Sequence, residues 1–215
     1  MEVTAAVPVN GSMLISSASA SASASRVEVR SVWAHNLDQE FALIRSALPF
    51  HPFVALDTEY PGVVLTSKNP YCTLTIPQRY DLIRANVDVL CIVQVGLTLS
   101  DTAGAYDFAF LVKMLTRGNK LPQTLHEFLG LVRFFFGGRV FDVKHLSKHC
   151  HGLYGGLERV ASAVQVERAL GCRHQSGSDS LLTWQVFFQI ASRVNPELIN
   201  RPEHIGTLFG LELIS

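Results

Sequence analysis

The sequence predicts an α/β fold in which a mixed β-sheet is flanked by helices. Two apolar runs, residues 53–56 and 87–99, are rich in the aromatic and β-branched residues that are typical of buried strands. Segments with apolar residues at helical spacing lie before, between and after regions of this kind. We expect the second run to be a central strand that pairs with the first through a hairpin-like return.

Helices are predicted wherever apolar residues recur every three or four positions. They cover residues 33–48, 106–115, 126–136, 143–150, 157–170 and 180–193. Asp142 stands where the fourth of these helices needs a cap, and Gly137 and Gly171 end the third and the fifth. Val140-Phe141 is predicted to be a very short strand, and residues 61–77 a loop.

The composition indicates one globular domain. Of the 215 residues, 48% are hydrophobic and 17% are charged, and 18 basic side chains balance 18 acidic ones. Zero net charge argues against a protein that coats DNA with a basic surface, but not against an enzyme that grips a few nucleotides in one groove. Residues 1–26 are predicted to be a disordered Ser/Ala-rich leader, and residues 27–215 the folded domain. No apolar run approaches the ~18 residues of a membrane helix, and the four cysteines are predicted to be free thiols.

Two carboxylates follow the first predicted strand. Asp57 and Glu59 are two residues apart, so in extended chain their side chains point to the same face. Two anions held this close repel each other unless a cation lies between them, and hard divalent ions such as Mg²⁺ prefer oxygen ligands. Metal binding is therefore favoured over an ion pair with an arginine.

A second stretch places a histidine five positions before another acid. His174 and Asp179 are joined by Gln-Ser-Gly-Ser, predicted to be a flexible linker that lets the imidazole approach a carboxylate at the entrance of a helix. That placement suits a general base beside an activated water. Asp107, at the start of another predicted helix, is on spacing alone as consistent with an ordinary helix-start acid as with a site residue.

Other polar residues carry weaker signals. A zinc site made of His149, Cys150, His151, Cys172 and His174 is not favoured, because these five contain no Cys-x₂-Cys or His-x₃-His spacing. Scattered basic residues are usually solvated surface, although contacts with phosphates are open to Lys113, Lys144 and Arg173.

The motifs resemble those of the DEDD-type deadenylases, and more narrowly of the CCR-associated-factor class, the poly(A)-shortening subunit of the CCR–NOT complex. The Ser/Ala-rich leader is most similar to plant members. The resemblance extends over nearly everything after residue 27 and rests on Asp57-Thr58-Glu59-Tyr60-Pro61-Gly62, Gln94-Val95-Gly96-Leu97-Thr98, Tyr106-Asp107-Phe108, Phe141-Asp142-Val143-Lys144 and His174-Gln175-Ser176-Gly177-Ser178-Asp179.

The resemblance implies a ribonuclease-H-like exonuclease fold and a two-metal reaction. The metal ions would be two Mg²⁺ or another divalent ion such as Mn²⁺, and the resemblance assigns their binding to four acids: Asp57, Glu59, Asp107 and Asp179. It assigns catalysis to the same four acids together with His174. The implied activity is 3′-to-5′ removal of the messenger RNA poly(A) tail with release of 5′-AMP. The implied partners are that RNA, the CCR–NOT scaffold and a companion deadenylase subunit, with no membrane, in cytoplasm and nucleus.

The chain departs from the family pattern just before Asp107. Only residues 100–105 stand where the family has an aromatic edge strand, several helices and an apolar strand, so the domain is predicted to be internally shortened there and to lack one or two strands. The strand of Asp57 would lose a neighbour, and unpaired buried backbone groups cost ~1–3 kcal/mol each. A catalytically silent binding module of the complex, or a poorly folding truncated isoform, is therefore the alternative to an active enzyme.

Overall fold

A four-stranded mixed sheet forms the centre of the protein. The computed structural model describes residues 2–8, 27–51, 53–99 and 105–212, with backbone alone for residues 2–8, 105 and 106. The strands are β1 (Glu2–Pro8), β2 (Val27–Val32), β3 (Ala55–Glu59) and β4 (Gln94–Thr98), in the order β2-β1-β4-β3. β4 pairs parallel with β1 and antiparallel with β3, while β1 and β2 are antiparallel. The predicted α/β class with a mixed sheet is confirmed.

Helices surround the sheet. They are α1 (Leu37–Ala47), α2 (Ile76–Val89), α3 (Ala105–Leu115), α4 (Leu125–Phe136), α5 (Val143–Lys148), α6 (Leu157–Ala163) and α7 (Ser176–Gln189). One apolar cluster joins α2, α3 and α4 around Tyr80 and Phe128, and a second joins α5, α6 and α7 around Leu146 and Leu182. Among the described residues, no helix has the length and apolar character needed to cross a membrane.

The predicted strand over residues 87–99 is wrong in its first half. Helix α2 occupies residues up to Val89, and only Gln94–Thr98 pairs in the sheet. Thr75 and Gln78 form a reciprocal capping box that starts α2 inside the segment predicted to be a loop. The helix end is stabilised by Lys113, whose Nζ donates to the carbonyl oxygens of residues 87, 88 and 90. The apolar run therefore spans a helix end, a turn and a strand.

Other predicted elements also differ in type or extent. Val140-Phe141 forms no strand; both residues are buried, and the Val140 carbonyl accepts from Gly206 N–H at 2.7 Å. Helix α6 ends at Ala163, because the backbone turns to a positive φ of 59° at Gln165. Helix α7 begins at Ser176, four residues before its predicted start. The cap predicted at Asp142 is confirmed, since its carboxylate accepts from the N–H groups of the first turn of α5.

The amino terminus also differs from prediction. Residues 2–8, assigned to the disordered leader, form β1, which hydrogen-bonds to a neighbouring strand on each side. The Ser/Ala composition of the later leader gave no signal for this pairing, which joins segments about 90 residues apart in sequence. Residues 9–26 of the predicted leader, and residues 100–104 of the predicted shortened segment, lie outside the described residues.

Close packing of α7 on the sheet positions the site. Asp57 of β3 lies opposite Gly96 of β4 in the antiparallel register. A Cβ atom on Gly96 would lie 2.0 Å from the carbonyl carbon and oxygen of Ser176, the first residue of α7. Real Cβ atoms never approach backbone so closely, so only glycine lets the amino-terminal end of α7 rest on the sheet.

Candidate active site

Strand β3 supplies the first two acids. Asp57 and Glu59 lie within the strand rather than after it, two residues apart as the sequence indicated. Asp57 Oδ2 is buried and has no hydrogen-bond partner among the described residues. Glu59 is more open, with 27% of its side chain exposed. An unpaired buried carboxylate oxygen costs free energy, which a proton or a cation would remove.

Asp107 approaches from the first turn of α3 and contacts the edge of β3. Its Oδ1 accepts hydrogen bonds from Thr58 N at 2.9 Å and from Thr58 Oγ1 at 2.6 Å. Among the described strands β3 is at the sheet edge, so this carboxylate takes the place of a strand partner for one backbone N–H. The sequence predicted unpaired backbone groups on this edge, and at Thr58 the N–H group is paired by Asp107, itself a candidate site residue.

Asp179 and His174 meet at the start of α7. The predicted flexible linker between them is wrong: Gln175 stands at the position that precedes helix α7, and residues 176–178 lie in its first turn. Asp179 Oδ2 accepts from the backbone N–H of His174 at 2.8 Å, and His174 adopts a positive φ of 63°. The His174 side chain is 80% exposed, with Nδ1 3.9 Å from Glu59 Oε1. One potential ligand atom each from Glu59, His174 and Asp179 lies within 4.8 Å of the others.

The charges of all four acids act on one another. Burial and, in decreasing order of effect, the charges of Asp107, Asp179 and Glu59 together raise the pKa of Asp57 to about 9, against a lowering by Arg168. Burial and the charge of Asp179 also raise the pKa of Glu59, against a lowering by His174. The acids predicted from sequence are therefore brought into one electrostatic cluster around β3.

One charged residue of this cluster was missed. The guanidinium of Arg168 donates to carboxylate oxygens of Asp179 and Glu158 and to the hydroxyl of Ser178. The side chains of Arg168 and Asp179 are only 13% and 12% exposed, so the ion pair is largely buried. Residue 168 lies in a segment predicted to be helical, and no spacing rule connects it to an acid eleven residues later.

A cavity of about 250 Å³ lies next to Asp57. Asp57, Asp107, Asp142 and Lys144 all line it. Asp142 is held by structure rather than free to bind: its Oδ1 caps α5 and its Oδ2 accepts from Phe209 N at 3.0 Å. Burial raises the pKa of Asp142 to about 6. Lys144, one of the basic residues that the sequence left open to phosphate contact, therefore lines the same cavity as Asp57 and Asp107, with its ammonium 4.6 Å from the centre of the Phe209 ring.

The residues present fit a divalent metal ion. The cluster offers hard carboxylate oxygens from one strand and two helices, and these are the ligands that Mg²⁺ and Mn²⁺ prefer. One of the oxygens, Oδ2 of Asp57, is buried and has no partner in the part of the chain that the structure describes. A bound cation would also relieve the mutual repulsion that raises the pKa of Asp57.

An acidic pair on a sheet strand, joined by acids from two helices, is the arrangement that the resemblance to the ribonuclease-H-like exonucleases implies. The CAF1 family ribonuclease profile matches residues 32–103. Two proteins of Arabidopsis thaliana, Probable CCR4-associated factor 1 homologs 7 and 10, are 30% and 31% identical over 86% of this chain, and the alignments cover 94% and 92% of their lengths. The chain belongs to the CAF1 ribonuclease family.

Solved structures agree with this assignment. The Schizosaccharomyces pombe Pop2p structure, in its Mg²⁺- and Mn²⁺-bound form, matches with a TM-score of 0.73 and 28% identity, covering 84% of this chain and 98% of that one. A yeast structure of the NOT1 MIF4G domain with CAF1 matches at TM-score 0.66 and 19% identity, covering 83% and 95%, and supports the fold. The alignment to homolog 7 spans 263 positions, more than the 215 residues of this chain, so that relative contains residues with no counterpart here.

Proposed function

We propose that this protein is a metal-dependent 3′-to-5′ exoribonuclease that shortens messenger RNA poly(A) tails and releases 5′-AMP. The observation that carries the proposal is the convergence of Asp57, Glu59, Asp107 and Asp179 around one strand, with a buried carboxylate oxygen left unpaired. A Schizosaccharomyces pombe relative, 29% identical over 83% of this chain and 75% of its own length, is named Poly(A) ribonuclease pop2.

The chain's own residues divide the work by exposure. Asp57, whose Oδ2 is buried, and the buried Asp179 are fixed by strand β3 and by the first turn of α7, so they are suited to hold metal rather than to move protons. His174 is exposed beside Glu59, where its imidazole can take a proton from an attacking water. Bound divalent ions would supply charge stabilisation for the phosphoryl transition state.

The proposed setting is the CCR–NOT complex, in cytoplasm and nucleus. The yeast structure that shares this fold pairs CAF1 with a NOT1 MIF4G domain. We propose that this chain likewise contacts the scaffold and works beside a companion deadenylase subunit. The zero net charge does not exclude an enzyme that binds a few nucleotides of single-stranded RNA in one groove.

The experiment is a time course with 5′-labelled RNA that ends in an adenosine tail, in the presence of Mg²⁺. The unmodified chain should produce a ladder that shortens from the 3′ end, and Asp57→Ala should abolish it. Asp81→Asn is the matched control, because Asp81 is an exposed acid on α2 away from the cluster. If both variants fold and cleave as the unmodified chain does, the carboxylate cluster is not the catalytic site.

A silent complex subunit is the second candidate, and the Arg168–Asp179 ion pair favours it. A protein cation already neutralises one of the four acids, which weakens the electrostatic demand for a metal ion at Asp179. This candidate predicts no shortening of RNA by a folded chain, together with retained capture by the NOT1 scaffold. Capture without activity, in a sample whose thermal unfolding is cooperative, would support it over the first.

A further inference from the structure

Three histidines cluster beside α5, away from the acids of β3. His145 lies on that helix, His149 directly follows it, and His204 ends a short 3₁₀ turn near the end of the described chain. The ring centroids are 4.4 Å apart for His149 and His204, 4.9 Å for His145 and His149, and 5.2 Å for His145 and His204. One ring nitrogen from each lies within 4.8 Å of the other two.

We propose that His145, His149 and His204 form a second metal site, specific for an imidazole-preferring transition-metal ion such as Zn²⁺. His145 and His149 have the i, i+4 spacing that puts two imidazoles on one helix face, as in helical zinc motifs. Nε2 of His145 is 3.0 Å from Nδ1 of His204. Tetrahedral zinc with Zn–N bonds of about 2.0–2.1 Å holds its ligand nitrogens roughly 3.3 Å apart, so little movement is needed.

Burial keeps the two inner rings in the form that binds metal. His145 and His204 are 4% and 3% exposed. Burial lowers the pKa of both imidazoles, with the neighbouring His149 adding to the effect. A neutral imidazole has a lone pair to donate, whereas an imidazolium has none.

Glu212 supplies the outer contact that histidine ligands usually have. Its Oε1 lies 3.6 Å from Nδ1 of His145 and is held by Lys148 Nζ at 2.7 Å. Nδ1 of His145 is buried and has no closer partner among the described residues. A carboxylate behind the second ring nitrogen orients the imidazole and raises its basicity. The arrangement directs Nε2 of His145 towards the other two rings.

The cluster has an entry path and is separate from the acids. It opens into a cavity of about 740 Å³ that Arg79, Lys148 and Thr207 also line, which leaves room for water or an anion as a fourth ligand. The acid cavity is lined instead by Lys144 and Ser147 of α5. Helix α5 thus stands between two sites of different chemistry, oxygen on one side and imidazole nitrogen on the other.

The simpler explanation is packing. His145 and His204 share one N–H···N hydrogen bond, and three rings in contact fill space without any ion. That explanation predicts no transition-metal affinity above that of exposed histidines. The His-metal explanation predicts tight binding that ties α5 to the chain segment around residue 204.

The test is isothermal titration of Zn²⁺ into the tag-free chain in excess Mg²⁺, with thermal unfolding in parallel. A single tight Zn²⁺ should bind and raise Tm, because metal stabilises only the folded site. His149→Ala should weaken binding by at least about 10-fold, and Glu212→Gln by roughly 10-fold, since loss of an outer partner typically costs 10–100-fold. His149 is exposed, so its removal should leave the fold intact.

His151→Ala is the matched control, since His151 is an exposed histidine two residues beyond His149 and outside the cluster. It should bind Zn²⁺ as the unmodified chain does. Asp179→Asn should also keep the tight Zn²⁺, whatever its effect on RNA cleavage, which separates this site from the proposed nuclease. Equal affinity of His149→Ala and the unmodified chain, or loss of tight Zn²⁺ only in Asp179→Asn, would overturn the proposal.

Discussion

Arg168 donates a hydrogen bond to Oδ1 of Asp179, so a side chain of the protein itself neutralises one acid of the metal cluster. The same guanidinium contacts Glu158 and Ser178, which links helix α6 to the first turn of α7. A metal ion bound at the proposed site would therefore compete with Arg168 for the carboxylate of Asp179. The ion pair should therefore stabilise the protein without metal and lower its affinity for metal.

Arg168→Ala should lower the free energy of unfolding without metal by about 3 kcal/mol, because it leaves a largely buried carboxylate without its cation. Mg²⁺ should then raise the Tm of this variant more than it raises that of the unmodified chain. Thermal unfolding with and without Mg²⁺ measures both effects. Arg159→Ala is the control, since Arg159 stacks on the exposed ring of Tyr154. An equal Mg²⁺ response in both chains would contradict the competition.

Gly96→Ala should separate α7 from the sheet, because its Cβ would clash with the backbone of Ser176 at 2.0 Å. Overpacking of this kind costs about 1–3 kcal/mol or more. The shift should also move Asp179 away from Glu59 and so reduce stabilisation by Mg²⁺, measured by the metal-dependent change in Tm. Gly130→Ala is the matched control: nothing lies within 4 Å of its added Cβ. It should stabilise α4 by about 0.5–1 kcal/mol.

Stability should depend on pH through the Arg30–Glu40 pair, which joins β2 to α1 with contacts of 2.6 and 2.8 Å. Arg30 lowers the pKa of the buried Glu40. The pair therefore contributes fully above the unfolded pKa of about 4.3, and its contribution is lost as pH falls through the lowered folded value.

Glu40→Gln should accordingly lower the free energy of unfolding by about 1–3 kcal/mol at neutral pH, and the difference from the unmodified chain should shrink below roughly pH 4. Urea unfolding across a pH series measures it. Glu28→Gln is the control, since Glu28 pairs with the same arginine from an exposed position. A difference that stays constant at low pH would show that Glu40 acts through shape rather than charge.

Lys113→Met should destabilise the protein without weakening RNA binding. Its ammonium donates to three carbonyl groups at the end of α2, at 2.7 to 3.1 Å, and bonds from a charged donor contribute about 1.5–3 kcal/mol. RNA affinity measured by fluorescence anisotropy should be unchanged in this variant. Lys144→Met should instead lower RNA affinity, because it removes the lysine that lines the cavity beside the acids. A loss of affinity in the Lys113 variant would return this residue to the phosphate-contact candidates.

The site was largely visible in the sequence because its signals are local. The two-residue spacing of Asp57 and Glu59 fixes their common face, and His174 precedes Asp179 by only five positions. Asp107 needed the family resemblance, since on spacing it is an ordinary helix-start acid.

What the sequence did not reveal depends on long-range contacts or on competing local signals. The pairing of β1 with β4 joins distant segments, and the contact of Arg168 with Asp179 follows from the packing of α6 against α7. Helix α2 was missed because an apolar run can form a strand or a buried helix end, and periodicity does not distinguish them. The spacing of His145 and His149 was present in the sequence, but His204 joins them only through the fold.

Because Asp107 accepts a hydrogen bond from the backbone of Thr58, one acid is both a candidate metal ligand and a hydrogen-bond partner of the exposed edge strand β3. Replacing Asp107 would expose a backbone donor to which a strand of another molecule can bind, and exposed edges of this kind promote self-association. An Asp107 variant that fails to cleave RNA would then be ambiguous. Self-association of the protein and loss of a catalytic group would both leave the labelled RNA at its full length. Among the described residues, the carboxylates of Asp57 and Glu59 accept no hydrogen bond from the backbone of the sheet edge. Replacing either of these two acids therefore tests the chemistry alone.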